Sequence, residues 1–368
     1  MGDKDFGYRL KLARKKEGYS LRDLSKAIDK LVSAQYLSMY ERGELFPNST
    51  VLIALSDVLK VSVDFLLAPK KISLGSIDFR KNSRTLASER ARVEAEVLQA
   101  VERRLELDEI LGRGSNQWEV PIDEDIKTPE KAADFAEELR ERWSLGENPI
   151  PDVTELLEEK GLIVLMLDLP NKVSGLTCFV ERETGSPVPV IVVNRTHPLE
   201  RRRFTLAHEL GHRLFRVVDK EGAQDDRATE KAANNFAGSF LMQKDHFKSL
   251  VGENRRAFGV NEIVMLKRVY RVSGAAFLYR MKQLGMISES QLKHSFRTFA
   301  RNWRKEEPQE LELFEGEAQA RRGILERPKL FEINCFHALA EGFISKSKAS
   351  ELLDRDIGDI ELGVRGLG

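Results

Sequence analysis

The sequence predicts a multidomain, mainly α-helical protein with one small β-sheet. Its length of 368 residues is enough for two to three domains. Apolar residues recur at three- and four-residue steps through long parts of the chain, which is typical of amphipathic helices. Short runs of branched apolar residues at 162–167, 175–180 and 188–194 predict three strands in the middle of the chain.

Composition limits the classes of partner that we expect. Lys+Arg and Asp+Glu number 59 each, so any affinity for nucleic acid must come from a local basic surface. No apolar run approaches the ~18–20 residues of a transmembrane helix, and no membrane partner is expected. The start of the chain lacks a signal-peptide core. Cys178 and Cys335 are the only cysteines, and we expect free thiols in the cytoplasm.

The first 69 residues predict a bundle of five short helices. The predicted helices cover Phe6 to Lys16, a segment capped by Ser20, Ser33 to Gly43, Thr50 to Leu59, and Ser62 to Leu67. Ser20 and Asn48 are residue types that begin helices because their side chains accept hydrogen bonds from the first free amides. Five such helices in about 65 residues are typical of a helix-turn-helix unit.

This bundle resembles the XRE (Cro/C1-type) DNA-binding family in Ser38-x-x-Glu41-Arg42-Gly43, Pro47 and Leu59-x-Val61-Ser62-x-x-x-Leu66-Leu67. The resemblance implies DNA as a partner, although a docking module without DNA binding stays an alternative. One departure is the turn 29–32, which lacks the usual Gly. The expected DNA contacts are Ser33, Gln35, Tyr36, Ser38 and Arg42, with Ser33 and Gln35 as base readers. The expected phosphate contacts are Arg9, Lys11, Arg14, Lys15, Lys16 and Arg42.

A second pattern, His208-Glu209-Leu210-Gly211-His212, predicts a metal site. Two histidines four residues apart on a helix project from one face, so both imidazoles can bind one Zn²⁺ ion. Glu209 follows the first histidine and is the expected general base for hydrolysis. Imidazoles that bind no metal are the alternative.

A catalytic zinc site of this type takes a carboxylate as its third ligand, and we expect Glu230 on the next helix to supply it. Asn234 lies one turn later and is expected to hydrogen-bond a ligand imidazole. Glu221, Asp225 and Asp226 compete for the same role from a preceding loop. A purely solvated Glu230 is the remaining alternative.

The stretch Arg202 to His212, followed by Glu230-x-x-Ala233-Asn234-x-Phe236-Ala237-x-x-Phe240-Leu241-Met242, resembles the ImmA/IrrE family of zinc metallopeptidases from about Pro129 to Ser288. The resemblance implies His208, His212 and Glu230 as zinc ligands and Glu209 as general base. It also implies a helix-turn-helix repressor as the protein substrate, cleaved under stress or during induction of mobile elements. Gln243 departs from the family's usual Pro.

We therefore expect four parts in the chain: an XRE-type bundle at 1–69, a linker with a long helix at 70–122, an α+β zincin-like metallopeptidase domain at 123–288, and a helical carboxy-terminal region at 289–368. The long helix is predicted from Arg84 to Leu111 by its apolar stripe. A spacer, a partner-binding and a homodimer-forming role all remain open for it. An edge strand of the sheet is expected to pair with extended substrate.

The sequence thus predicts a zinc-dependent endopeptidase tethered to a DNA-binding domain, in the cytoplasm. Two alternatives belong to other classes: a regulator or antitoxin whose metallopeptidase fold senses a partner or metal, and a zinc hydrolase of a small molecule. Tyr279 or Arg280 could donate a hydrogen bond to the oxyanion, but helix packing and surface charge are the favoured roles for both.

Overall fold

The structure is a computed structural model that describes residues 2–74, 87–113, 118, 124–126, 128–183, 185–217, 225–253, 258–303, 305–312 and 323–364. The described helices are α1 Gly2–Lys16, α2 Leu21–Ala27, α3 Ala34–Glu41, α4 Ser49–Leu59, α5 Val63–Leu67, α6 Ala87–Ile110, α7 Ala132–Arg142, α8 Val153–Glu159, α9 Leu199–Leu214, α10 Asp226–Leu241, α11 Lys244–Val251, α12 Val260–Tyr270, α13 Gly274–Gln283, α14 Glu289–Arg297, α15 Leu330–Ala340, α16 Lys346–Leu353 and α17 Ile357–Val364. The strands are β1 Ile72–Leu74, β2 Glu124–Ile126, β3 Ile163–Leu167, β4 Gly175–Arg182, β5 Val188–Asn194 and β6 Phe215–Val217.

This architecture confirms the predicted fold class, mainly helical with a small four-stranded mixed sheet. Strands β2 and β6 form a separate parallel pair. The chain divides into two compact units. The first contains residues 1–116, 178–188 and 334–368, and the second contains residues 117–177 and 189–333. None of the described helices combines the length and the apolar character that a bilayer crossing requires. The four predicted boundaries stay predictions.

Helices α1 to α5 form the predicted bundle at the start of the first unit. Four of the five helices begin at a capping side chain, because Ser20, Ser33, Asn48 and Ser62 each accept a hydrogen bond from the amide three residues later. Their buried apolar side chains form one core that includes Phe6, Leu10, Leu24, Leu37, Leu55, Leu59 and Leu66. Local capping and a shared apolar face therefore both specify this bundle.

The turn between α2 and α3 lacks the glycine that is usual in the XRE pattern. Asp29 and Lys30 have φ values of 54° and 58°, in the left-handed region that usually favours Gly. Asp is among the residues that tolerate this conformation best, whereas Lys has no such advantage. The chain thus makes a left-handed turn with two side-chain-bearing residues, at the point where the sequence departs from the XRE pattern.

Helix α6 packs on this bundle within the first unit. Its buried residues include Val93, Val97, Leu98 and Val101, which belong to the predicted apolar stripe. The guanidinium of Arg9 on α1 is 2% exposed, pairs with the Glu102 carboxylate, and donates from Nε to the carbonyl oxygen of Ala68 at 3.1 Å. The prediction that Arg9 contacts DNA phosphate was therefore wrong, because the side chain is enclosed by α6 and the end of the bundle.

The sheet order is β1-β4-β5-β3. In the second unit β3 runs parallel to β5, with Ile163 opposite Val190 and Leu167 opposite Asn194. Strand β5 is buried along its whole length, as expected for a strand covered on both faces. In the first unit β1 pairs antiparallel with the last residues of β4. The second unit's core surrounds α9 and α10 and is rich in aromatic rings, among them Phe236 and Phe240, stacked at 5.5 Å.

Candidate metal centre and nucleic-acid interface

Helix α9 carries the His-Glu-x-x-His pattern and is buried on nearly all sides. Ala207, Leu210 and Leu214 lie in the apolar core, as their spacing predicts, and Arg202 and Arg203 on the same helix are buried as well. Helix α10 packs closely against α9 at Gly211, where an added Cβ would lie 3.3 Å from ring atoms of Phe215 and Phe236. The small residue allows the two helices that carry the candidate ligands to approach each other.

Three nitrogen and oxygen donors converge where α9 and α10 meet. The Nε2 atoms of His208 and His212 lie 3.0 Å apart. One Glu230 carboxylate oxygen lies 3.6 Å from His208 Nε2 and the other lies 3.4 Å from His212 Nε2. Among the described residues, these three form the one group of His, Cys, Asp or Glu side chains that could hold a metal ion. The structure therefore brings together the three side chains that the sequence singles out.

The donor set fits Zn²⁺. Two imidazoles and one carboxylate make up a catalytic zinc set, with bonds of about 2.0–2.2 Å. Around a tetrahedral ion such bonds place neighbouring donors roughly 3.3 Å apart, close to the observed 3.0, 3.4 and 3.6 Å. Glu230 has 37% of its side chain exposed while His208 is buried. The cluster thus has one side open to solvent.

Asn234 contacts the first histidine from α10. Its Oδ1 lies 3.1 Å from His208 Nδ1 and can accept a hydrogen bond from that ring nitrogen. With the proton on Nδ1, the lone pair of Nε2 faces His212 and Glu230. One turn of α10 therefore supplies both a candidate ligand and the group that orients the His208 ring.

The competing acidic residues have other surroundings. Asp225 is the N-cap of α10, and its Oδ1 accepts hydrogen bonds from the amides of Arg227 and Ala228, both at 3.0 Å. Asp226 is the first residue of that helix, and Glu221 lies outside the described residues.

Glu209 is 4% exposed and lies on α9 opposite the start of β4. A Cβ added to Gly175 would lie 2.5 Å from Thr205 Cγ2, 2.7 Å from the carbonyl oxygen of Val192 and 3.6 Å from Glu209 Cγ. Only glycine allows this close approach of the strand to the helix. Sequence reasoning treated Gly175 as an ordinary strand residue; a glycine inside a strand pattern was the available signal.

The far end of α10 is held by two buried guanidinium groups. Arg140 donates to the carbonyl oxygen of Phe240 at 2.7 Å, and Arg280 donates to that of Met242 at 2.9 Å. Burial lowers the pKa of Arg280 to about 10. Tyr279 is 46% exposed and packs on Phe296. Arg280 therefore caps the C-terminal carbonyls of α10, a packing role of the kind favoured from the sequence.

Gln243 takes over a capping function at the position where the family usually has Pro. Its Oε1 accepts a hydrogen bond from the amide of His246 at 2.8 Å, which makes Gln243 the N-cap of α11. The chain leaves α10 and starts a new helix at this point, so the departure from the family pattern preserves the local break.

The expected DNA-contact residues are distributed along α3. Gln35 and Tyr36 are exposed, and Ser33 caps the helix. Arg42 donates to Ser38 Oγ at 2.6 Å and pairs with Glu44. Arg14, one of the expected phosphate contacts, forms a two-fold hydrogen bond with Glu41 at 2.6 and 2.9 Å. Gln35, Tyr36 and Lys11 thus offer exposed polar groups, whereas Arg14 and Arg42 are engaged with neighbouring carboxylates.

Fold and site together define a class of protein that joins a helix-turn-helix domain to a metallopeptidase-like domain. Comparison with known families agrees. A model described as "IrrE N-terminal-like domain" matches residues 157–282, and one described as "Helix-turn-helix" matches residues 10–66.

Two relatives from Bacillus subtilis (strain 168) match the chain. The "HTH-type transcriptional regulator ImmR" is 36% identical over 67 residues, 18% of this chain and 51% of the relative. The "Uncharacterized HTH-type transcriptional regulator YazB" is 33% identical over 66 residues, 18% of this chain and 93% of the relative. The chain thus spans about half the length of the first relative. No solved structure matches it.

The chain thus contains a helix-turn-helix domain near its amino terminus and, at residues 157–282, a region that matches the IrrE N-terminal-like domain, as the sequence motifs predicted.

Proposed function

We propose that the chain is a zinc-dependent endopeptidase that also binds DNA and cleaves a regulatory protein. The approach of His208, His212 and Glu230 to within hydrogen-bonding or ion-pairing distance of one another supports the zinc site most directly. When bound, Zn²⁺ acts as a Lewis acid towards a carbonyl oxygen and towards water.

The protein's own residues divide the remaining work. Glu209 lies next to His208 in sequence and is buried, so its carboxylate is screened from bulk water. In our proposal it accepts the proton of the attacking water and delivers that proton to the leaving amine. Asn234 fixes the orientation of the His208 ring. The partly exposed side of the cluster, at Glu230, admits the substrate.

A helix-turn-helix repressor is the substrate that we propose. The amino-terminal domain supports action at an operator, with Ser33, Gln35, Tyr36, Ser38 and Arg42 as the proposed contacts. A tethered enzyme meets a repressor on the same DNA at a raised effective concentration. We also propose a cytoplasmic location, in keeping with action at an operator, and cleavage of the repressor would switch on stress-response or mobile-element genes.

The test is cleavage of a repressor encoded beside this chain by the purified full-length protein loaded with Zn²⁺. We expect the wild type to produce defined fragments by mass spectrometry. Glu209→Gln should retain zinc, measured by elemental analysis, and cut about 10²–10⁴-fold more slowly. Glu159→Gln, on α8, serves as the matched control for loss of one carboxylate.

Equal cleavage by the wild type and by Glu209→Gln would contradict the general-base role. Zinc binding and operator binding without cleavage of any neighbouring repressor would instead favour a regulator whose metallopeptidase fold senses metal or a partner.

A further inference from the structure

A segment beyond the matched family region lies against the first turns of the metal helix α9. We name it the acidic strap and define it by residues 305–312 and 323–327. It belongs to the same compact unit as the metal cluster. Its carboxylates and amides meet three side chains of α9 in succession, at positions 200, 202 and 203. The strap therefore contacts the helix five to eight residues before His208.

The pair between Arg202 and Glu312 is fully enclosed. The two side chains are 2% and 1% exposed, and two parallel hydrogen bonds of 2.8 and 2.9 Å join them. Glu312 Oε1 also accepts hydrogen bonds from the amides of Gly323 and Leu325, at 3.1 and 3.3 Å. One carboxylate thus joins both described parts of the strap to α9.

The pair between Arg203 and Glu326 is buried in the same way, at 1% and 4% exposure. The other Glu326 oxygen accepts from the amide of Val153 at 3.1 Å, at the start of α8. Arg203 also donates to the carbonyl oxygen of Ile150 at 2.7 Å. This second pair therefore ties the metal helix to the strap and to α8 at once.

A third contact involves Glu200 and Lys267, both 0% exposed. Glu200 Oε1 accepts from the Leu311 amide at 3.0 Å and from Lys267 Nζ at 3.2 Å. Lys267 also pairs with Glu307 of the strap at 2.7 Å. All three contacts use groups that would be costly to bury alone, so strap and helix hold each other in a single arrangement.

We propose that the acidic strap positions α9 for metal binding, with Glu312 and Glu326 as positioning residues that act through Arg202 and Arg203. This inference rests on the proposed zinc site. A rigid helix transmits a displacement of its first turn to His208 and His212. Because Glu230 is carried by α10, such a displacement would move the two histidines relative to the third candidate ligand. A metal site tolerates only about 0.5 Å or 10–20° of error in ligand placement, so two-point attachment by planar guanidinium–carboxylate pairs suits this task.

The experiment measures Zn²⁺ affinity of the full-length protein by competition with a chromophoric chelator. We expect Glu312→Gln and Glu326→Gln each to bind Zn²⁺ about 10–100-fold more weakly, as for other groups that orient metal ligands. Asp168→Asn is the matched control, because the Asp168–Arg195 pair is about half exposed on both sides. It should bind Zn²⁺ as the wild type does.

A double variant separates positioning from mere stability. In Glu312→Gln a buried guanidinium loses its counter-charge, and the added change Arg202→Met removes that charge while Gln can still accept from the strap amides. Urea unfolding of the metal-free protein should show that the double variant regains most of the stability lost in the single variant. Its Zn²⁺ affinity should stay 10-fold or more below that of the wild type.

Recovery of Zn²⁺ affinity together with stability would show that the pair only supports folding, and would overturn the positioning role. Unchanged affinity in both single variants would overturn it as well, while leaving the zinc site intact. A wild type that binds no Zn²⁺ would overturn the proposed function and this inference with it.

Discussion

The His208 ring shows how one residue on α10 can set the chemistry of another on α9. Asn234 Oδ1 and His208 Nδ1 are 3.1 Å apart, whereas the neighbouring Asn235 donates from Nδ2 to the carbonyl oxygen of Pro129 at 3.0 Å. The two asparagines are adjacent in sequence but face different partners. Only Asn234 can fix the tautomer of a candidate ligand.

We therefore expect Asn234→Ala to lower Zn²⁺ affinity by about 10–100-fold, because the His208 ring would lose its orienting acceptor. Asn235→Ala is the control on the same helix and should leave the affinity close to that of the wild type. Both are measured by chelator competition. Equal losses in the two variants would mean that α10 is merely destabilised and that Asn234 has no special role.

His208 and His212 were predictable from their local spacing, whereas Glu230 was expected from the ligand set of a catalytic zinc site. His208 and His212 share a helix face by their spacing alone, and Glu230 and Asn234 follow on the next helix. Gly175 and the ion pairs of Arg202 and Arg203 were not predictable. Their partners lie 17 to 123 residues away, and spacing along one helix carries no information about such distant contacts.

At the scale of single elements, the packing around α9 and α10 differs between two glycine positions. Gly211 lies at their crossing, where an added Cβ would be 3.3 Å from Phe215 and Phe236 ring atoms. Gly238 lies on α10 with Gln283 Oε1 as its nearest neighbour, at 3.6 Å. The two positions are both helical but differ in the space that surrounds them.

Gly211→Ala should lower the free energy of unfolding by about 1–3 kcal/mol, because the added methyl group overpacks the helix crossing. This cost exceeds the gain in helix propensity. Gly238→Ala should instead raise it by roughly 0.5–1 kcal/mol, since Ala is the better helix residue and has room. Urea denaturation of both metal-free variants measures these differences. A stabilising Gly211→Ala would show that the crossing has slack.

The buried contact between α12 and the acidic strap titrates near neutrality. Burial raises the pKa of Glu307 to about 7, although Lys267 acts in the opposite direction. The pKa in the folded protein thus exceeds the unfolded value of about 4.3. The folded state therefore binds the proton more tightly, and this carboxyl's contribution to stability declines as pH rises from about 4.5 to 7.

Glu307→Gln removes that contribution. Relative to the wild type, the variant should gain stability as pH rises through this window, by at most about 1.4 kcal/mol for each unit of the pKa difference. Urea unfolding at about pH 5, 6, 7 and 8, a series that covers most of that window and extends beyond it, measures the difference. Glu306→Gln, on an exposed side chain of the same segment, controls for the loss of one charge. A difference that does not change with pH would contradict the prediction.

The elements themselves were predicted well where capping and periodicity agree, as in α2 to α5. Helix α9 was predicted to be amphipathic but is buried on nearly every face. The sequence assigned no partner to Arg202 or Arg203 on this helix. In the folded protein both arginines are buried, because each pairs with a carboxylate of the acidic strap.

For the molecule as a whole, equal numbers of basic and acidic residues leave no long-range attraction for DNA. Affinity must then come from exposed cations on the bundle. Arg9 and Lys11 lie two residues apart on α1, but Arg9 is 2% exposed and Lys11 is exposed. Sequence alone could not distinguish them.

Lys11→Ala should weaken DNA binding to all sequences alike and reduce the slope of log affinity against log salt by about one. Arg9→Met should leave that slope unchanged and reduce stability instead, because it leaves Glu102 without its partner. Fluorescence anisotropy at several salt concentrations, alongside thermal unfolding, measures both. A reduced slope for Arg9→Met would mean that the guanidinium reaches DNA after all.

The matched helix-turn-helix module runs from residue 10 to residue 66. Both members of the Arg9–Glu102 pair fall outside those limits. A transplant of the matched segment alone would lack Arg9. A transplant of residues 1–69 would contain Arg9 but not its partner Glu102. The first helix of the bundle is therefore stabilised by a residue beyond the matched segment, and a stable chimera would need to carry α6 with it.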